Sequence, residues 1–232
     1  MFSARALASY AGGLVAVVLL AGCGGLNPGV AVKVGDDRVL LADVDRLATA
    51  LCELQEEQMQ AQGAQAPMAY VRAEAMFRYF LKIASAQYAA DHGLSVEPSY
   101  DASLLGARAD LERLPEELRD VYAESIRGQA YTEELLLVAG VQLLGGDPDA
   151  VDPETVDLGV AQQTGASALL EWLTAHDSIE FDPRFGLGVG DLGLERVESG
   201  VSVAASEFAR NAAADMVDPA WVASLPSDQR CG

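Results

Sequence analysis

Residues 68–91, "MAYVRAEAMFRYFLKIASAQYAAD", limit the folds open to this chain more than any other stretch, because they run without a glycine or proline. Tyr70, Met76, Phe77, Phe80, Ile83 and Ala84 fall near one face at helical spacing, while Arg72, Arg78 and Lys82 lie elsewhere. Gly93 supplies the stop, and Pro98 lies shortly beyond. Four further helices flank this one. The first follows Asp43, whose side chain suits an N-cap, and runs to about residue 62. A more polar helix is expected over 100–114. Another opens at "LPEELRDVY", where Pro115 suits the first turn and Glu116 and Glu117 suit the helix dipole. Its later run "LLLVAGVQLL" is apolar nearly all round and reads as buried. The last, 154–176, is weakened by Gly159 and Gly165.

Strand-like patterns occur only towards the two ends. "VAVKV" and "RVLL" are separated by Gly35-Asp36-Asp37, a hairpin signal. "SIEFDPRFG" reads as a strand ending in a turn, "GLGVG" as a turn, and "LERVESGVSV" as a further strand. "EFARNAAADM" reads as a short helix before an irregular tail. The expected fold is therefore mainly α with a small β-sheet, in the α+β class. Its domain covers residues 30–205, and a tail covers 206–232.

The N-terminus reads "MFSARALASYAGGLVAVVLLAGC", with Arg5 its only charge and an apolar run from 13 to 21. This is the pattern of a secretory signal, too short for a spanning helix. Leu20-Ala21-Gly22-Cys23 resembles a bacterial lipobox. That resemblance implies removal of residues 1–22, a diacylglyceryl group on the Cys23 sulfur, and a lipid-anchored protein on the extracytoplasmic face of the cell membrane. More than one acyl chain holds a protein stably on a bilayer. Residues 23–29 form the tether, and six extended residues reach at most about 20 Å. Loss of Arg5 would take the formal net charge from −20 to −21. Such a surface repels phosphate polymers, so nucleic acid is not an expected partner. Anionic lipid head groups would be repelled too, leaving attachment to the lipid on Cys23.

With Cys23 lipidated, Cys52 and Cys231 remain, and an even pair in an oxidising compartment favours a disulfide. The competing reading makes Cys52 a reactive thiol. It needs a base, and the only histidines, His92 and His176, lack a recognisable nucleophile context.

Motifs for catalysis are missing. The acidic groups Asp36, Asp37, Asp43 and Asp45, and Asp147, Asp149, Asp152 and Glu154, do not meet the register of a calcium loop and are explained by turns and caps. No zinc spacing, nucleophile elbow or phosphate loop occurs, so neither metal nor cofactor is expected. The segment "VGDLGLERVESGVSVAASEFARNA" echoes parvulin prolyl isomerases. Those domains also need an upstream strand bearing a histidine, and here Leu194 stands where an aromatic residue belongs. The expected protein is not an enzyme.

The start "VAVKVGDDRVLLADVDRLATAL" resembles the N-terminal segment of SurA-type and PrsA-type chaperones, well over about thirty residues and beyond that in helix order. "IEFDPRFG" and "DPAWVASLPSDQRCG" are similar to the closing segments of SurA-N-like lipoproteins of high-GC Gram-positive bacteria. The resemblance implies a helical chaperone module in which the N-terminal hairpin and C-terminal strands pack together, an arrangement that suits a Cys52–Cys231 bridge. It further implies a holdase without catalysis, whose helical cradle binds unfolded or secreted polypeptides. Candidate cradle residues are Met59, Met68, Met76, Phe77 and Phe80, since methionine and aromatic side chains adapt to varied partners. The alternative is a structural or assembly lipoprotein that docks one dedicated envelope protein.

Overall fold

A computed structural model describes residues 28–147, 156–190, 193–196, 206, 210–211 and 217–232. The lipobox with Cys23, the tether up to residue 27, Asp149, Asp152 and Glu154, the strand expected beyond residue 196 and most of "EFARNAAADM" lie outside the described residues. So does residue 205, where the main domain was expected to end.

The fold is mainly helical with a small antiparallel sheet. Strand β1 (Val30–Val34) lies at the centre of three strands, between β2 (Asp37–Leu40) and β4 (Ile179–Phe181). Val30, Ala31, Val32 and Val34 are all buried, as suits a strand covered on both faces. Its one polar residue, Lys33, stands opposite Glu180 in the ladder and meets it at 3.5 Å. The hairpin expected at Gly35 forms, with that glycine at φ 57°.

Strand β2 runs directly into α1 (Leu41–Gln62). Asp43 is not the N-cap: Leu40 holds that position without a side-chain bond, and the Leu41 N–H donates to the Gly29 carbonyl at 2.8 Å. The residue just before β1 thus satisfies one of the free N–H groups of the helix's first turn. Asp43 sits inside the first turn, where its charge suits the dipole.

A two-residue strand β3 (Ala66–Pro67) leads into α2 (Met68–His92), the central helix. It packs against α1, β1 and the longest helix. Val71, Ala75, Met76, Phe80, Ala84, Ser85, Tyr88 and Ala89 form its buried side. The Phe80 ring meets that of Phe181 on β4 at 5.1 Å between centroids. The region expected as one helix divides into α3 (Tyr100–Gly106) and α4 (Arg108–Arg113), with the break beside Gly106.

The longest helix is α5 (Glu116–Leu143), and α6 (Leu158–Ala175) returns antiparallel along its C-terminal half. Two glycines set their separation. A Cβ on Gly140 would lie 1.8 Å from the Ala161 carbonyl oxygen, and one on Gly165 would lie 1.9 Å from that of Leu136. The glycines that weaken helix propensity here let the two backbones touch. Asp157 caps α6, accepting from the Gly159 and Val160 N–H groups at 3.0 and 3.1 Å.

After β4, Asp182 opens a 3-10 turn (Pro183–Phe185), and a second hairpin follows, β5 (Leu187–Gly190) with β6 (Gly193–Arg196). "GLGVG" is thus a strand and not a turn. Leu187, Val189 and Leu194 pack against the core, and the Glu195 side chain lies across Gly190 where a Cβ would clash. Helix α7 (Pro219–Ser224) precedes β7 (Arg230–Cys231), which pairs antiparallel with β3.

Candidate functional site

Cys52 on α1 and Cys231 on β7 are joined by a disulfide, with 5.6 Å between their Cα atoms. Cys231 is fully buried, and Ala66 of β3 faces it in the ladder. The sulfur of Cys52 is committed to this bond, so the reactive-thiol reading of that residue falls away. The Gln65 side-chain amide donates to the Gly232 carbonyl at 3.0 Å, a second hold on the same tail.

The candidate cradle does not assemble along α2. Met76 and Phe80 are completely enclosed, and Met68 is buried. Met76 and Phe80 are one turn apart on the side of α2 that faces α1, the sheet and α5, Met68 joins the same cluster about two turns earlier, and the domain's own core takes up their apolar surface. Met59 and Phe77 are half-buried and also lean on that core. These five residues form no exposed apolar groove, and the reading of Met68, Met76 and Phe80 as an open binding surface is corrected.

Three arrangements were hidden in the sequence. The first gathers both histidines of the chain. His92 ends α2 and stacks on Tyr88 with centroids 4.1 Å apart, while His176 follows α6 and lies 3.9 Å from Trp172. Tyr88 and Trp172 meet edge to face at 6.0 Å, so the four rings form one chain across the α2–α6 contact. Asp91 accepts from the Trp172 indole N–H at 3.0 Å. Eighty-four residues separate the two histidines, and only the crossing of two helix ends brings them together. His92 Nδ1 lies 2.9 Å from the Tyr88 carbonyl oxygen, so that ring is engaged with its own helix as well as stacked.

The second is a cleft of about 360 Å³ lined by Lys82 and Ala86 of α2, Tyr100 of α3, and Glu124, Arg127, Gly128 and Tyr131 of α5. Lys82 donates to Glu124 Oε1, and Arg127 lies 3.5 Å from Oε2. Burial pushes the Glu124 carboxyl up, but the Lys82 hydrogen bond and charge, with Arg127, outweigh it and hold the group below the usual carboxylate range. Gly128 lets the Lys82 stem lie against α5, since a Cβ there would come within 3.1 Å of it. A carboxylate clamped by two cations is ionised and engaged, which suits it to joining helices and not to proton transfer. Tyr79, one residue row away, is pushed up to about 12 by burial, then by Asp43 and Glu124, so its phenol stays protonated.

The third lies at the end of the α5–α6 hairpin where the chain passes from one helix to the other, and there Leu143, Leu144, Leu158 and Val160 are exposed. The isomerase echo yields only the β5–β6 hairpin with Leu194 leaning on the core; its remaining residues lie largely outside the described ones. Among the described residues, no three His, Cys, Asp or Glu side chains converge as metal ligands. Nor is any described helix long and apolar enough to cross a membrane.

Comparison with family models, curated proteins and solved structures finds no match to this chain.

Proposed function

We propose that the chain is a lipid-anchored, extracytoplasmic module that binds unfolded or partly folded secreted polypeptides as a holdase, without catalysis. The observation that carries this reading is the union of the chain's two ends. β1 pairs with β4, β3 with β7, and Cys52 bonds Cys231. That is the closed arrangement implied by the likeness to SurA-N-type lipoproteins, and a disulfide between such distant residues suits an oxidising compartment. Cys23 holds the lipid, and the acidic domain stands close to the bilayer without adhering to it.

A second reading is favoured by one feature, the enclosure of Met68, Met76 and Phe80. A domain that keeps these residues inside offers a small contact surface and not a broad cradle. This suits the docking of one dedicated envelope protein. Residues 24–232, oxidised and without lipid, separate the two. Light scattering of several aggregating unfolded proteins is followed with and without the domain. The holdase suppresses scattering at near-equal molar ratio, whereas an acidic control protein of similar size does not. Lack of suppression across all of them rejects the holdase and leaves crosslinking to find a single folded partner.

A further inference from the structure

The cleft between α2, α3 and α5 has all its walls within residues 82–131, a stretch described throughout. Its volume of about 360 Å³ falls at the lower end of the range for small-molecule sites. Lys82 and Ala86 stand one turn apart on α2. On α5, Glu124 and Gly128 are four residues apart, as are Arg127 and Tyr131, so each helix turns one row of side chains to the space.

The walls carry two kinds of chemistry. Lys82 and Arg127 share one carboxylate, that of Glu124, which sets two cations against one anion. Among the described residues Arg127 meets only Glu124, at 3.5 Å, and most of its N–H donors have no protein partner. The Lys82 ammonium also has donors beyond the one that Glu124 takes. The second kind is aromatic. Burial pushes the Tyr131 phenol up and the Tyr100 phenol adds to the effect, so the two lie within electrostatic reach of each other. Among the described residues neither hydroxyl has a hydrogen-bond partner.

These walls select a ligand. One surplus positive charge, with N–H donors to spare, suits a monoanion, and a carboxylate matches the planar fork of Arg127. Ala86, the Lys82 stem and the tyrosine rings offer apolar surface to the remainder of such a molecule. Charge also limits its size. The net −20 of the chain repels a polyanion or an anionic bilayer, whereas a small acid meets only charges within about 8 Å at physiological ionic strength.

We propose that this cleft binds a small carboxylic acid with an apolar body, its carboxylate on Arg127 and Lys82 and its body against Tyr100 and Tyr131. The proposal goes beyond the holdase reading and does not depend on it. The C-terminal carboxylate of a polypeptide has the same chemistry, and the test separates the two sources.

Isotope-labelled full chain is titrated with 3-phenylpropionate and followed by amide chemical shifts. Shifts are expected at residues 82–86, 100 and 124–131, with a Kd near or below about 1 mM. The uncharged 3-phenylpropionamide binds at least about tenfold more weakly, and Arg127→Gln weakens binding of the acid by a similar factor, as befits a hydrogen bond between charged groups. Ala86→Phe, at an exposed helix position, fills the cleft and abolishes binding, while circular dichroism shows the fold retained. Arg108→Gln on α4, where the native side chain is 71 % exposed, leaves affinity unchanged. A short peptide ending in phenylalanine then competes with the acid. Displacement at lower concentration than unlabelled 3-phenylpropionate, lost when the peptide is amidated, makes the polypeptide terminus the source; weaker displacement makes it the free acid.

An amide that binds as tightly as the acid overturns the proposal. So do shifts that fall outside the cleft, an absence of shifts at about ten times the expected Kd, or Arg127→Gln and Ala86→Phe variants that bind like wild type.

Discussion

The body of the molecule and the α5–α6 hairpin are held together in opposite ways. In the body, α1, α2 and the three-stranded sheet enclose large side chains, Leu47, Met76 and Phe80 among them, and segments distant in sequence close it. In the hairpin, neighbours in sequence lie so close at Gly140 and Gly165 that backbone meets backbone. Side-chain volume stabilises the first, and its absence permits the second. The body should tolerate volume-conserving exchanges in its core and suffer from loss of its closures. The hairpin should tolerate loss of those closures and suffer from a single added methyl group.

The largest effect expected from this contrast comes from the bridge. Cys52→Ser/Cys231→Ser should lower stability by about 2–5 kcal/mol in urea unfolding, since the disulfide spans 179 residues. Hydrogen exchange should rise at α1, β3 and β7 but not at residues 136–140 and 161–165. Equal loosening of both regions would break the comparison. Next comes Gly165→Val, whose added atoms collide with the Leu136 carbonyl and should cost about 1–3 kcal/mol. Its exchange pattern should be the converse, with the hairpin loosened and the body protected. A variant that unfolds as late as wild type would show that the two helices can separate freely.

The smallest effect is one of pH and belongs to the body. Arg184 binds both oxygens of Asp182, at 3.0 and 2.7 Å, and its backbone N–H donates to the same carboxylate. These bonds outweigh burial and hold the Asp182 carboxyl below the usual range. A depressed carboxylate contributes stability that is present above the unfolded value, about 4, and lost as pH falls through the lower folded one. Wild type should therefore lose urea resistance below about pH 4 more steeply than Asp182→Asn. Parallel curves would assign the pair no part in acid stability.

Much of the fold was legible because it is local. Helices α2 and α5 are long periodic runs, and α2 stops directly before Gly93 while α5 starts directly after Pro115. The first hairpin is written in Gly35 and its flanking valines. What escaped depends on partners that sequence does not display. Glycine made "GLGVG" resemble a turn, whereas β6 pairs with it and Glu195 covers it. Asp43 had the chemistry of a cap, yet the helix begins two residues earlier, where β2 leads straight into Leu41. For Met76 and Phe80 the helical stripe was correctly placed, but periodicity marks an apolar face without saying whether core or client covers it. The run "LLLVAGVQLL" looked buried throughout, but its burial ends at Val141, and Leu143 and Leu144 are exposed.

Strand β1 gives the chain a problem of timing. Val32 pairs on one side with Val39, a few residues away, and on the other with Phe181. A polypeptide grows from its N-terminus at about 5–20 residues per second, so the first hairpin can form seconds before its third strand exists. Throughout that interval an apolar strand edge stands open, the feature that recruits foreign strands. Helices α1 and α2, both packed on β1 and both complete well before β4 emerges, are available to shelter it. The order of elements along the chain thus places the helices that guard the sheet ahead of the strand that finishes it.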